Sequence, residues 1–218
     1  MTFRSATGGR DHDLSALVSA RLCHDLISPI GAIGNGMELL QMSEGAGKAE
    51  IALISDSLST ALAKLRFYRV AFGPADAEAR QSFDEAAQIS DAMFTGRFTV
   101  AWEAEGRDMP RSTAQLVYLL ILCLEKSLPM GGAAHVAIPA SASGETRVTL
   151  SVEGRRTAPP QDLWAHVTQN APIPELRSDG VQFALLREAL GRSGHRVHAS
   201  FTESGASLKM TAQSALLV

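Results

Sequence analysis

Between Leu14 and Leu40 apolar residues recur at spacings of three and four, at Leu14, Val18, Leu22, Leu26, Pro29, Ile30, Ile33, Met37 and Leu40. Wound at about 100° per residue they gather on one broad face, so the stretch reads as an amphipathic helix. The pattern tolerates Pro29, which costs about 3 kcal/mol in an ordinary helix interior, and the helix-weakening Gly31, Gly34 and Gly36. Such penalties mark a place where the chain needs a bend or a close approach. His24 falls about 160° from the centre of the stripe and is followed at once by Asp25. Its neighbours one and two turns away are Ala20, Arg21, Ile27, Ser28 and Gly31, mostly small or short. The imidazole therefore stands on a low outer surface that another protein can approach.

Gln41 to Lys48 reads as a turn, and a second helical pattern runs to about Phe72, where Gly73-Pro74 stops it. Ile51, Ile54, Leu58, Ala61, Leu65, Tyr68 and Phe72 alternate spacings of three and four, a heptad seam. Two helices cannot enclose that much apolar surface. Pairing of the hairpin with a second copy into a four-helix bundle covers it, so a homodimer is expected. The alternative is a hairpin packed on its own C-terminal region.

The rest of the chain changes character. Ser82-x-x-Glu85 has the form of a capping box opening a helix to about Thr95, and Phe98 to Glu103 alternates like a strand. Ser112-x-x-Gln115 repeats the capping logic before a helix whose segment Leu116 to Leu128 is apolar nearly all round. Strands are predicted at His135 to Ile138, Thr146 to Val152, His195 to Phe201 and Ser207 to Thr211, and helices at Pro160 to Thr168 and Val181 to Gly191. The fold class is α+β: a helical hairpin over residues 1–76 forming a dimeric four-helix bundle, then a two-layer α/β sandwich over residues 77–218.

A net charge of -3 gives no basic footprint for nucleic acid. The longest unbroken apolar run, Leu116 to Leu124, is about half of what a helix needs to span a bilayer, and no membrane partner is expected. The first residues lack an apolar signal core, and Cys23 and Cys123 have neither disulfide nor metal spacing, which fits a reducing cytoplasm. Adjacent helical residues point about 100° apart, so Cys23 and His24 do not form a thiol-imidazole pair, and Cys23 is read as a packing residue. Asp11-His12-Asp13 is read as a helix cap rather than a metal site. His135, His166, His195 and His198 are assigned no chemistry, His198 being taken as a satisfied strand residue, and Lys126, Arg187 and Arg192 are taken as helix-surface charges.

The string Cys23-His24-Asp25-Leu26-x-x-Pro29-Ile30 resembles the phospho-acceptor box of sensor histidine kinases, whose cores also join a dimerising hairpin to a two-layer α/β ATPase domain. ARLCHDLISPIGAIGNGMELL and the later LEKSLPMGG are closer still to ChpT-type histidine phosphotransferases of bacterial phosphorelays. Against the kinase pattern three losses stand out. Cys123 occupies the place of the magnesium-binding asparagine; Glu153-Gly154-Arg155-Arg156 replaces the adenine-reading Asp-x-Gly-x-Gly loop; and the phosphate-cradling segment retains only Gly180 in Asp179 to Ala184. Glu153 and Asp179 are read as solvated loop acids rather than substitute magnesium ligands.

The resemblance thus implies a phosphate carrier with no cofactor of its own. His24 is the phospho-acceptor and Asp25 its orienting acid, while Arg21, Ser28 and Gly31 belong to the partner-binding surface. Phosphate comes from the receiver-domain aspartate of a hybrid histidine kinase and passes to response regulator receivers, magnesium being supplied by the partner receiver. The alternatives are an active histidine kinase with divergent ATP contacts and a non-catalytic dimeric adaptor.

Overall fold

The computed structural model describes residues 13–42, 47–75, 78–139, 147–173 and 175–212. The first helix, α1 (Leu14–Met42), starts where the Asp13 carboxylate caps the Ala16 amide at 3.1 Å, and runs unbroken through Pro29. The other members of that acidic triplet, Asp11 and His12, lie outside the described residues, as do residues 43–46 of the hairpin turn and the proposed boundary at residues 76–77. The second helix, α2 (Lys48–Ala71), returns along α1 and closes at Phe72.

The predicted seam divides in two. Ile54, Ala61 and Tyr68 turn inward, whereas Ile51, Leu58 and Leu65, seven residues apart, form an open apolar row with Leu62. Only the C-terminal part of α2, with Phe67, Tyr68, Val70 and Ala71, joins the core of the α/β unit, and Leu22 of α1 packs beside it. The remainder of the hairpin leaves Ile30, Met37 and Leu39 exposed as well. By length and composition α1 could cross a membrane, with an 18-residue window of mean hydropathy 1.2. It contains no long unbroken apolar run, because Gly, Ser and charged residues are interspersed along its length.

A short pair, β1 (Arg80–Ser82) with β3 (Asp108–Pro110), flanks α3 (Phe83–Met93), β2 (Phe98–Ala104) and α4 (Arg111–Lys126). Then follow β4 (Gly132–Ile138), β5 (Val148–Gly154), α5 (Gln161–Gln169), a 3₁₀ turn Ser178–Gly180, α6 (Val181–Ser193), β6 (His195–Phe201) and β7 (Gly205–Ala212). The five-stranded sheet has the order β2-β4-β5-β7-β6, parallel only between β2 and β4. Registers align Trp102, Val136, Leu150, Leu208 and Ala199 across it, and alternate residues such as Thr99, Ala101 and Glu103 are exposed. One face is therefore covered by helices and the other open, the two-layer α+β arrangement expected. Leu116 to Leu124 of α4 is buried on all sides, and Phe67 of α2 stacks on Tyr118 at 4.5 Å, which joins hairpin to α/β unit.

Two start signals had different fates. Ser82 accepts from the Glu85 amide at 3.1 Å as a capping box requires. Ser112 caps nothing: α4 begins at Arg111 behind Pro110, and Gln115 instead donates to the Gly73 carbonyl at 2.6 Å, tying down the end of α2.

Candidate functional site

The box around His24 is organised by what Pro29 removes. A proline in the helix interior has no N–H for the carbonyl four residues earlier, here that of Asp25. Lys64 of α2 fills the gap, its Nζ donating to the Asp25 carbonyl oxygen at 2.8 Å. The Asp25 carboxylate is held as firmly. Its Oδ2 accepts from Arg21 Nε at 2.5 Å and from the Tyr68 hydroxyl, and its Oδ1 lies 2.9 Å from His24 Nδ1.

These contacts determine which ring nitrogen is free. An ionised carboxylate only accepts, so Nδ1 carries the ring proton and Nε2 keeps its lone pair. The His24 side chain is 82% exposed, while those of Asp25 and Arg21 are 13% and 16% exposed. Burial opposes ionisation of Asp25, but the hydrogen bonds from His24 and Tyr68 and the charge of Arg21 outweigh it, holding the carboxyl below its ordinary range. Burial pushes the Tyr68 hydroxyl well above its ordinary range, so it remains a proton donor to Asp25.

Of the residues singled out with His24, Ser28 and Gly31 are exposed on its side of α1, and a Cβ on Gly31 would meet nothing within 4 Å. Ile27, between them and His24, is 71% exposed. Arg21 turns away from this surface, toward Asp25 and, through Nη1, toward the Asp179 carbonyl oxygen at 3.3 Å. Cys23 is exposed, contrary to its reading as a packing residue, because its position on α1 lies off the side covered by α2 and the α/β unit. Sequence reasoning missed Lys64 altogether and saw Tyr68 only as an apolar seam position. The carbonyl freed by Pro29 was the available signal that a donor is required.

The remnants of the kinase pattern have structural work. Cys123 is fully buried, and burial drives its thiol far above the ordinary value. A Cβ on Gly154 would lie 2.8 Å from the Gly131 carbonyl oxygen, and one on Gly180 would lie 3.3 Å from Leu163 Cδ1. Asp179 and Lys126 are both exposed, as read from the sequence, and pair with each other, an ion pair that lowers the Asp179 pKa. Glu153 is exposed as expected. Arg192 pairs with Glu188 on the helix surface, Arg187 donates to the Asn170 side chain, and His198 stands on the exposed side of β6. Among the described residues no three His, Cys, Asp or Glu side chains gather to hold a metal ion. A cavity of about 610 Å³ between hairpin and α/β unit is lined by Arg21, Lys64, Arg97, Lys126 and Glu125. Burial raises the Glu125 pKa despite those cations.

A hairpin that presents one imidazole outward above a two-layer α/β unit has the construction of a phosphoryl-carrying histidine protein. Comparison with known proteins makes the class specific. A family model for the C-terminal domain of histidine phosphotransferases matches residues 83–205. Protein phosphotransferase ChpT of Brucella abortus (strain 2308) is 36% identical over 175 residues, 78% of this chain and 81% of that protein. The 1.7 Å structure of a bacterial phosphotransferase superposes with a TM-score of 0.76 at 29% identity, over 94% of this chain and 98% of the other. The chain belongs to the ChpT-type histidine phosphotransferases, which act in phosphorelays.

Proposed function

We propose that His24 is the phospho-acceptor, taking phosphate from the receiver-domain aspartate of a hybrid histidine kinase and returning it to the receiver aspartates of response regulators. The observation that carries this reading is the outward Nε2 of an imidazole whose Nδ1 is anchored by Asp25. Nε2 attacks phosphorus in line, and the carrier needs little beyond position, because magnesium and an acidic cluster come with the receiver. Asp25 orients the ring. Ser28 and Gly31 leave room for the docking receiver, and Arg21 acts beneath that surface by holding the Asp25 carboxylate.

Transfer in this reading uses no ATP. The support is that Cys123, at the place of the magnesium ligand, is a fully buried thiol, and that close neighbours surround Gly154 and Gly180, the glycines left at the places of the nucleotide loops. A homodimer joins the hairpins, with the row Ile51, Leu58, Leu62 and Leu65 as its contact, and residues 1–76 and 77–218 act as bundle and accessory domain. Two free thiols fit a cytoplasmic protein.

The test is a pair of labelling reactions, one with radiolabelled ATP alone and one with a phosphorylated receiver domain of a hybrid kinase, each repeated with His24→Ala. Label from the receiver that vanishes in His24→Ala is expected. His24-dependent label from ATP alone makes the protein a kinase, and receiver binding without any transfer makes it an adaptor.

A further inference from the structure

We propose that Tyr68 and Lys64 of α2 are positioning residues for phosphoryl transfer, fixing Asp25 by its carboxylate and its carbonyl so that Asp25 holds the acceptor ring in its reactive tautomer. The inference rests on the reading of His24 as the acceptor.

An isolated Asp-His neighbour pair on a helix is a loose device, since the carboxylate can rotate and either oxygen can turn to water. Here Oδ2 is occupied by Arg21 Nε and the Tyr68 hydroxyl, so Oδ1 is the oxygen left for Nδ1. Tyr68 cannot follow Asp25 outward. Its ring is 3% exposed, stacks on Phe72 at 5.0 Å and meets Phe67 edge-on at 6.2 Å, all within the core shared with the α/β unit. Lys64 acts on the backbone of the same residue, replacing the N–H that Pro29 lacks. Both donors come from α2, so the seating of α2 against α1 is passed directly to the imidazole.

The chemistry shows why this matters. The Nε2 lone pair forms the N–P bond while the bond from phosphorus to the receiver's aspartyl oxygen breaks, its electron pair leaving on the receiver carboxylate. The ring becomes positively charged, and its Nδ1 proton stays in the hydrogen bond to Asp25 until return transfer restores the neutral ring. A ring protonated on Nε2 has no lone pair there and cannot begin the step. Holding Nδ1–H against Oδ1 therefore raises the reactive fraction and places the developing charge beside a carboxylate.

The experiment uses the full chain with phosphoramidate as a small phosphate donor, so that docking does not enter. Tyr68→Phe keeps the ring packing, Lys64→Met removes the ammonium, and Lys64→Arg is the conservative rescue. Three quantities are followed: the rate of His24 phosphorylation, its pH profile, and the ¹⁵N shifts of the His24 ring, with helicity and melting temperature as controls of folding. In the wild type the Nδ1–H tautomer should dominate at alkaline pH. Tyr68→Phe and Lys64→Met should shift the ring toward Nε2–H and slow phosphorylation by about tenfold across that range, with Lys64→Arg recovering both. A ring tautomer unchanged in both variants overturns the positioning role, whatever their melting temperatures. Wild-type protein that phosphoramidate and a phosphorylated receiver both fail to label on His24 overturns the acceptor reading instead.

Discussion

At His24 the chain sets an imidazole in water and the groups that hold it beneath. The ring projects, while Asp25 and Arg21 are largely covered, so a partner can reach Nε2 without displacing the groups that orient it. The depressed pKa of Asp25 gives this a pH signature. Its hydrogen bonds and charge pairing favour the folded state above the ordinary carboxyl pKa of about 3.9, and that contribution is lost as pH falls through the lower folded value. Asp25→Asn should therefore destabilise the protein at neutral pH, with the difference from wild type shrinking steadily as unfolding is measured at progressively more acidic pH. A pH-independent difference would show that Asp25 acts through packing alone. The pairing of His24 with Asp25 was legible because the box is contiguous. Lys64 and Tyr68 were not, since they stand 39 and 43 residues from Asp25 and no local period connects them.

Among the elements, α1 shows how differently two similar glycines serve. A Cβ on Gly36 would lie 2.7 Å from Ile54 Cγ1 and 3.6 Å from the Glu50 carbonyl oxygen, so the hairpin helices approach closely there. On Gly34 a Cβ would meet nothing within 4 Å. Gly34→Ala should raise the stability of the protein by about 0.8–1 kcal/mol through helix propensity, and Gly36→Ala should lower it by about 1–3 kcal/mol through overpacking. Denaturant titration of the two variants checks the contrast; equal shifts in the same direction would contradict the close approach. Sequence penalties announced that some glycine was needed in this stretch but not which one, because the answer depends on where Ile54 falls across the turn. The same limit explains Ser112 and Gln115, whose spacing imitates a capping box although Gln115 is committed to the end of α2. It explains too the unpredicted strands β1 and β3, each three residues long, too short to display an alternation.

For the whole molecule, the order and type of the large elements were readable because each carries a sustained period, whereas the split of the α2 seam was not. Which half of a heptad row turns inward depends on where the α/β unit meets the hairpin, a tertiary fact. The open half gives the assembly its test. Leu58→Glu together with Leu65→Glu puts two charges into the proposed contact, and sedimentation should show a dimer in the wild type and a monomer in the variant, with helicity unchanged. A variant that still sediments as a dimer would move the contact elsewhere. The link between hairpin and α/β unit is of another kind. Arg21, one turn from His24, reaches the Asp179 carbonyl, and Asp179 is held in turn by Lys126. The guanidinium that grips the Asp25 carboxylate thus also touches the α/β unit, so a shift of that unit against the hairpin would be felt at the carboxylate beside the imidazole.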